Sequence, residues 1–451
     1  MIADQPHVGP SWDVSHGDLR VSEDRRFLVH ADGTPFFWLG DTAWELFHRL
    51  GREDAERYLE NRRAKGYTVI QAVCLAELDG LNTPNPYGQR PLLDNDPARP
   101  DLKGGYWEHV DFVVARAREK GLTIGMLPTW ADKVLLKWGV GPVVFTPENA
   151  RVYGRFLGER YRDASNLIWI LGGDRNPDGF EEIWRQTAAG LAEGDGGRHL
   201  KTYHPMGGNS SSRFLHDEAW LDFNMMQSGH GQQDGANYDR VAHDYALQPT
   251  KPCLDGEPRY EDHPVRSQPE GRWFGEYDVR QAAYWALFAG AFGHTYGAHG
   301  IWQMWAPGRA SVGGARTYWY DSLDLPGAGQ MLHVRRLMLS RPFLGRVPDP
   351  SLVLAGQGEG ADHVQATRAA DGAYALLYLP TGKPVTADLS KLSGERVRAW
   401  WYDPRTGAAA EIGECGKEAR EFDPPGQPGR GNDWVLVLDD AGKGFPSPGS
   451  R

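Results

Sequence analysis

The stretch Asn166-Leu-Ile-Trp-Ile-Leu-Gly-Gly-Asp-Arg-Asn176 limits the possible folds more than any other part of the chain. Its apolar run, Leu167 to Leu171, is bounded by a polar residue and by two glycines. That is the pattern of a strand buried on both faces, as in parallel sheets flanked by helices. Asp174 would then stand at the strand's C-terminal end, which in a (β/α)8 barrel is the face where chemistry is done. An Asp after a strand more often caps the next helix. A second acid in the same setting shifts that balance: Pro252-Cys-Leu-Asp-Gly-Glu-Pro258 is another short strand running into Gly and then Glu257.

Taken in order, the rest of the chain supplies the other units of such a barrel. Leu19 to His30 predicts a small hairpin, and Phe36–Leu39 a first barrel strand that leaves Asp41 and Trp44 just past its end. Val69–Leu75, Thr123–Trp130, Leu200–Pro205 and Phe223–His230 predict strands two, three, five and six, delivering Gln71, Trp130, His204, Gln227 and His230. Strand eight is expected from His294 through Trp302. Helical spacing recurs between the strands, with Thr146 and Pro147 marking one helix start and Asp278–Ala291 strongly apolar. The expected fold class is α/β, a (β/α)8 TIM barrel over residues 36–345. Residues 1–35 form an N-terminal extension and hairpin, and from about Pro350 alternating runs such as Tyr374–Tyr378, Val397–Tyr402 and Trp434–Leu438 predict an antiparallel β-sandwich over 346–451.

Composition narrows the partners. A net charge of -11 with Lys and Arg scattered argues against nucleic acid and anionic membrane surfaces. No segment approaches the roughly 20 apolar residues of a membrane span, and residues Met1 to His7 lack a leader's basic and apolar regions, so the chain as given is expected to be cytoplasmic. Cys74, Cys253 and Cys415 are far apart and form neither a disulfide framework nor a zinc spacing. The excess is aromatic, with 17 Trp and 18 Tyr, rings that fill cores or stack on sugars.

Asp174 and Glu257 would face each other across the barrel mouth from strands four and seven. Glycosidic cleavage needs such a pair, one carboxyl to protonate the leaving oxygen and one to attack or to activate water. Asp41, Gln71, His204, Gln227 and His230 suit sugar hydroxyls, each histidine having equal claim to a bracing role. Trp44, Trp130, Tyr260, Tyr296 and Trp302 suit a stacking wall, with rim packing almost as good an account of each. Arg175 would lower Asp174's pKa if it faced the carboxyl, and is expected to point elsewhere. Two other readings stay open: a metal-dependent sugar isomerase using His204, His230, Asp174 and Glu257, and a glycan-binding protein without turnover.

Gly40-Asp-Thr-Ala-Trp44, Leu171-Gly-Gly-Asp-Arg-Asn176, Phe223-Asn-Met-Met-Gln-Ser-Gly-His230, Asp255-Gly-Glu-Pro-Arg-Tyr260 and Gly293-His-Thr-Tyr-Gly297 together resemble the signatures of the bacterial apiosidase-like glycoside hydrolases, family 140. The resemblance covers about Leu19 to Ser340, and the C-terminal segment is similar to the β domain that commonly ends these proteins. It implies a barrel with no cofactor and no metal, a small-molecule or oligosaccharide glycoside as substrate, and release of terminal D-apiose. By that likeness Asp174 is the acid/base and Glu257 the nucleophile. The larger retaining clan carries Glu after Asn at the strand-four position, whereas here Asp follows Gly and sets the carboxyl about one methylene further back; retention remains the expected course. Another pentofuranosidase or related exo-glycosidase is the nearest alternative.

Overall fold

The computed structural model describes residues 7–450, so the N-terminal stretch examined for a leader lies almost wholly outside the described residues. Eight parallel strands form the barrel: Trp38–Thr42, Val69–Leu75, Thr123–Thr129, Leu167–Gly172, Lys201–His204, Asn224–Gln227, Cys253–Asp255 and Gly293–Tyr296. They run in order from the fifth down to the first and then from the eighth to the sixth, where a short antiparallel strand, Asn209–Ser210, is added. The ring closes between the fifth and sixth strands, where Asp222 N donates to Lys201 O at 2.9 Å and Thr202 Oγ1 to Phe223 O at 2.7 Å. Among the described residues no helix is long and apolar enough to cross a membrane.

The fourth strand is buried along its whole length, as its unbroken apolar run requires. Gly125 on the third strand makes room for it, since a Cβ there would lie 2.9 Å from Ile170 Cδ1. The helices flanking it, Pro147–Tyr161 and Glu181–Asp195, meet through Gly154 and Gly158 on one and Gly190 and Gly194 on the other. A side chain at any of the four would run into backbone of the facing helix, so the two can pack this closely only without Cβ atoms. Thr146 caps the first of these helices in a capping box with Asn149.

Three strand boundaries differ from expectation by enough to move a candidate residue. The sixth strand ends at Gln227, which leaves His230 on the loop beyond it. Pro35–Phe36 pairs with Leu28–Val29 as the third strand of the N-terminal hairpin, so the first barrel strand starts at Trp38 and Asp41 lies within it. The eighth strand stops at Tyr296, and His299–Trp302 is a short helix, so Trp302 is delivered by a turn above the barrel.

From Arg346 the chain forms a six-stranded antiparallel sheet with a three-stranded sheet of Val353–Ala355, Val385–Ala387 and Arg420–Phe422 packed on it. Strand periodicity divides the larger sheet's residues in two. Leu377, Leu379, Ala399, Trp401, Leu436 and Leu438 face the small sheet, whereas Leu376, Tyr378, Trp400, Tyr402, Val435 and Val437 join the hydrophobic core of the barrel. Helix Glu276–Phe288 is buried between the two bodies from Tyr277 to Phe288, which accounts for its apolar sequence.

Candidate active site

Asp174 sits where the fourth strand breaks. Gly172, Gly173 and Asp174 all have positive φ (88°, 117° and 56°), a conformation glycine adopts freely and Asp tolerates. Side chains at the two glycines would strike His204 O and the Trp130 ring, so both are required for the chain to turn here. Trp138 Nε1 donates to Asp174 Oδ2 at 2.6 Å. Contrary to expectation, Arg175 does not turn away. It donates to Leu135 O at 3.0 Å, to the Asp174 carbonyl at 2.8 Å and to Trp138 O, with its guanidinium 3.9 Å from the Trp138 ring centre, and it stays near enough to the Asp174 carboxyl to lower its pKa. It thereby pins the loop that brings Trp138 to the acid, and its nearest nitrogen stays 3.8 Å from Asp174 Oδ2.

Glu257 follows the seventh strand, and Gly229 N donates to its carbonyl at 3.0 Å. His230 Nε2 donates to Glu257 Oε1 at 3.1 Å. His204 connects the two acids. Asp174 N–H points at its Nδ1 at 3.3 Å, which leaves the proton on Nε2, and Nε2 lies 2.9 Å from Glu257 Oε2. That approach is bent away from hydrogen-bond geometry, so Oε2 keeps a lone pair uncommitted.

The two carboxyls are driven apart in acidity. Burial and the nearby charge of Glu257 raise Asp174 to about 6, more than His204, Trp138 and Arg175 lower it. Burial also opposes ionisation of Glu257, but His204 and His230 outweigh it and hold that carboxyl well below the usual range. Below about pH 6 Asp174 keeps its proton while Glu257 is ionised, the division of labour that general acid and nucleophile require.

The cleft above them has a volume of about 480 Å³, and Trp44, Trp130, Gln227, His230, Tyr260 and Trp302 line it together with both acids. Gln227 Oε1 is buried with no hydrogen-bond partner among the described residues, and Tyr260 OH, beside Glu257, Thr42 and Trp44, makes no aligned hydrogen bond. Four expected sugar ligands lie elsewhere. Asp41 is fully buried behind the sheet, taking hydrogen bonds from Arg62 Nε at 2.6 Å and Tyr58 OH at 2.5 Å. Tyr296, its partner across the strands, faces the same way and donates to Glu261 Oε2 at 2.6 Å. Asp41 thus ties its strand to the helix over it, and Tyr296 ties its own to Glu261, which in turn accepts from Gly327 N at 3.0 Å at the start of helix Pro326–Leu339. Gln71 lies inside the barrel, donating to Gly256 O at 2.9 Å beneath Glu257. His204 is fully buried, boxed by Trp44 and Trp130 with ring centres at 5.4 and 5.8 Å, and braces the acids.

The cleft also contains residues not foreseen from sequence: Glu77, Trp138, Arg266, His263 and His299. Glu77 lies two residues past the second strand, the same setting that singled out Asp174. Burial and the charge of Asp174 push it up to about 8. His263 stacks on His230 at 4.3 Å and uses Nδ1 on Pro264 O at 2.7 Å. Among the described residues no three His, Cys, Asp or Glu side chains are placed to hold a metal ion.

Comparison with known proteins agrees with the fold. The family model of the apiosidase-like catalytic domain matches residues 22–345, and a model named for a collagenase's collagen-binding domain matches residues 347–439. A solved structure described as a glycoside hydrolase is 38% identical with a TM-score of 0.90, covering 96% of this chain and 99% of that one. A glycoside hydrolase family 5 structure from Bacteroides vulgatus is 37% identical, again with a TM-score of 0.90 and 96% of each chain covered. No curated protein matches. The chain, a barrel with two opposed acids at its mouth, belongs to the apiosidase-like family of glycoside hydrolases.

Proposed function

We propose that the enzyme releases terminal D-apiose from apiosylated glycosides, with Asp174 as acid/base and Glu257 as nucleophile. The observation that carries the residue roles is the opposed acidity of the two carboxyls on either side of His204. The apiosidase-like family model supports the sugar. In this reading Glu257 attacks the anomeric carbon through Oε2, the oxygen without an aligned partner, while Asp174 delivers its proton to the leaving oxygen. Asp174 then takes a proton from water, and the resulting attack releases the sugar with retained configuration. Trp44, Trp130, Tyr260 and Trp302 supply faces for a furanose ring, and Gln227 Oε1 accepts from a hydroxyl. The leaving group passes Trp138, which is 41% exposed beside Leu136 and Val140 on the same loop.

The test is sugar release from an apiosyl flavone glycoside by the intact protein and by Glu257→Ala, with products identified by chromatography. Free apiose from the intact protein alone supports the assignment. Arabinose or another pentose released from a panel instead keeps the mechanism and rejects the substrate. No release from any glycoside rejects both.

A further inference from the structure

We propose that the C-terminal domain is a working part of the catalytic cleft, because Arg430 on one of its loops holds the wall segment 229–236 and so acts as a positioning residue for His230. The proposal rests on the glycosidase reading of the cleft.

The segment has neither helix nor strand and contains Gly229, Gly231 and Gly235, so its own backbone gives it little stiffness. Its first residues, Gly229, His230 and Gly231, line the cleft. Gly231, Gln232, Gly235 and Ala236 also line a second cavity of about 390 Å³, which shares Gly207, Gly229, His230 and Gly231 with the cleft. The segment is therefore a partition with space on both sides, and its position sets where His230 meets Glu257.

At its start the backbone is tied to the loop after the seventh strand, Gly229 N donating to Glu257 O at 3.0 Å and Arg266 N to His230 O at 2.9 Å. Beyond His230, side chains from elsewhere fix it. Arg259 donates to Gln233 O, Arg272 Nη1 to Gln233 Oε1 at 2.7 Å, and Arg266 Nε to Gly231 O at 3.4 Å, all from the loop that follows Glu257. Among the described residues, the segment's one ion pair with an Arg or Lys is Asp234 to Arg430, at 2.7 Å. Arg430 also pairs with Asp278 in the first turn of helix Glu276–Phe288, and its guanidinium lies 4.4 Å from the centre of the Tyr277 ring. One guanidinium thus joins the partition to the helix buried between the domains. Its own loop is anchored by Gly429 N on Thr381 O at 2.8 Å and by Arg405 Nη1 on Gly431 O at 3.1 Å. Removing the Arg430 charge leaves the buried Arg259 as the remaining cation beside Asp234 and Asp278, so the repulsion between the two carboxylates is less fully offset and the partition loosens.

The experiment compares the full-length protein with Arg430→Ala, Arg430→Lys and Asp234→Asn, following kcat and KM on a cleaved glycoside and hydrogen exchange of the peptide spanning residues 229–237. Arg430→Ala is expected to lower kcat/KM about tenfold, chiefly through KM, because strands and His204 hold the two acids from beneath. Exchange in that peptide accelerates while the barrel strands keep their protection, and Arg430→Lys restores most of both. Unchanged kcat/KM or unchanged exchange in Arg430→Ala overturns the proposal. Should that variant not fold, Asp234→Asn keeps the Arg430–Asp278 pair, and the same two readouts decide. Exchange needs no substrate, so it separates a failed clamp from a failed glycosidase reading.

Discussion

Both the domain interface and the cleft bury ionic side chains, and the ion pairs of the interface are matched more fully than the groups of the cleft. At the interface Arg280 makes a two-pronged pair with Asp433 at 3.1 and 2.8 Å, and its third nitrogen donates to Gln330 Oε1 at 2.6 Å. Arg341 grips Asp439 at 2.8 and 2.7 Å. In the cleft, Glu257 Oε2, Gln227 Oε1, Tyr260 OH and His230 Nδ1 are buried without an aligned partner. Satisfied charges fix one arrangement of two bodies, while unsatisfied groups keep their hydrogen-bonding capacity for a ligand at some cost in stability. The contrast separates holding from reacting within one chain.

Substitutions on the two sides should therefore fail differently. The largest effect is expected for Glu257→Ala: turnover falls by about 10⁴-fold or more, while the thermal midpoint falls only modestly, since the lost interactions with His204 and His230 are partly offset by no longer burying a carboxylate. A midpoint that drops sharply would show that Glu257 is structural. Asp174→Asn should cost about 10²- to 10⁴-fold, and less on glycosides whose leaving group needs no proton. An equal loss on all leaving groups contradicts the acid role. At the interface Asp433→Ala leaves Arg280 charged, buried and half unpaired, and should cost about 3–5 kcal/mol in denaturant unfolding with kcat of the folded fraction nearly intact. Loss of kcat without loss of stability there would erase the contrast.

The same difference explains what could be read from sequence. Strands two and four were legible nearly residue by residue because burial on both faces makes them continuous apolar runs. The first strand was not, because Phe36 and Phe37 look like its start although the hairpin takes Pro35 and Phe36. That two-residue slip moved Asp41 from its true place behind the sheet to an imagined place above it. Tyr296 failed for a related reason: the end of a strand offers both an inward and an outward face, and apolarity does not say which. Trp138 and His263 lie on loops, which carry no periodicity, and their roles follow from what they touch. Glu77 meets the strand-end rule that identified Asp174 and Glu257 and could have been found by applying it to every strand. Arg430 had no local signal at all, since its partners Asp234 and Asp278 lie far away in sequence.

The smallest expected effect tests the tuning of the acid. With Asp174 at about 6 and Glu257 well below the usual range, kcat/KM should decline above about pH 6 as Asp174 loses its proton, while the acidic limb lies far lower. Trp138 Nε1 donates to the ionised form of Asp174 and so lowers its pKa. Trp138→Phe removes that donor, which favours the protonated form, and the basic limb should move to higher pH by about one unit, the size of a hydrogen bond to a charged group at a partly open site. The acidic limb, set by Glu257 with its two histidines, should stay where it is. A limb that moves to lower pH would mean that the loop had swung away and admitted water to Asp174, making Trp138 a shield rather than a donor. Movement of both limbs together would mean that His204 couples the two acids so tightly that neither limb belongs to one residue.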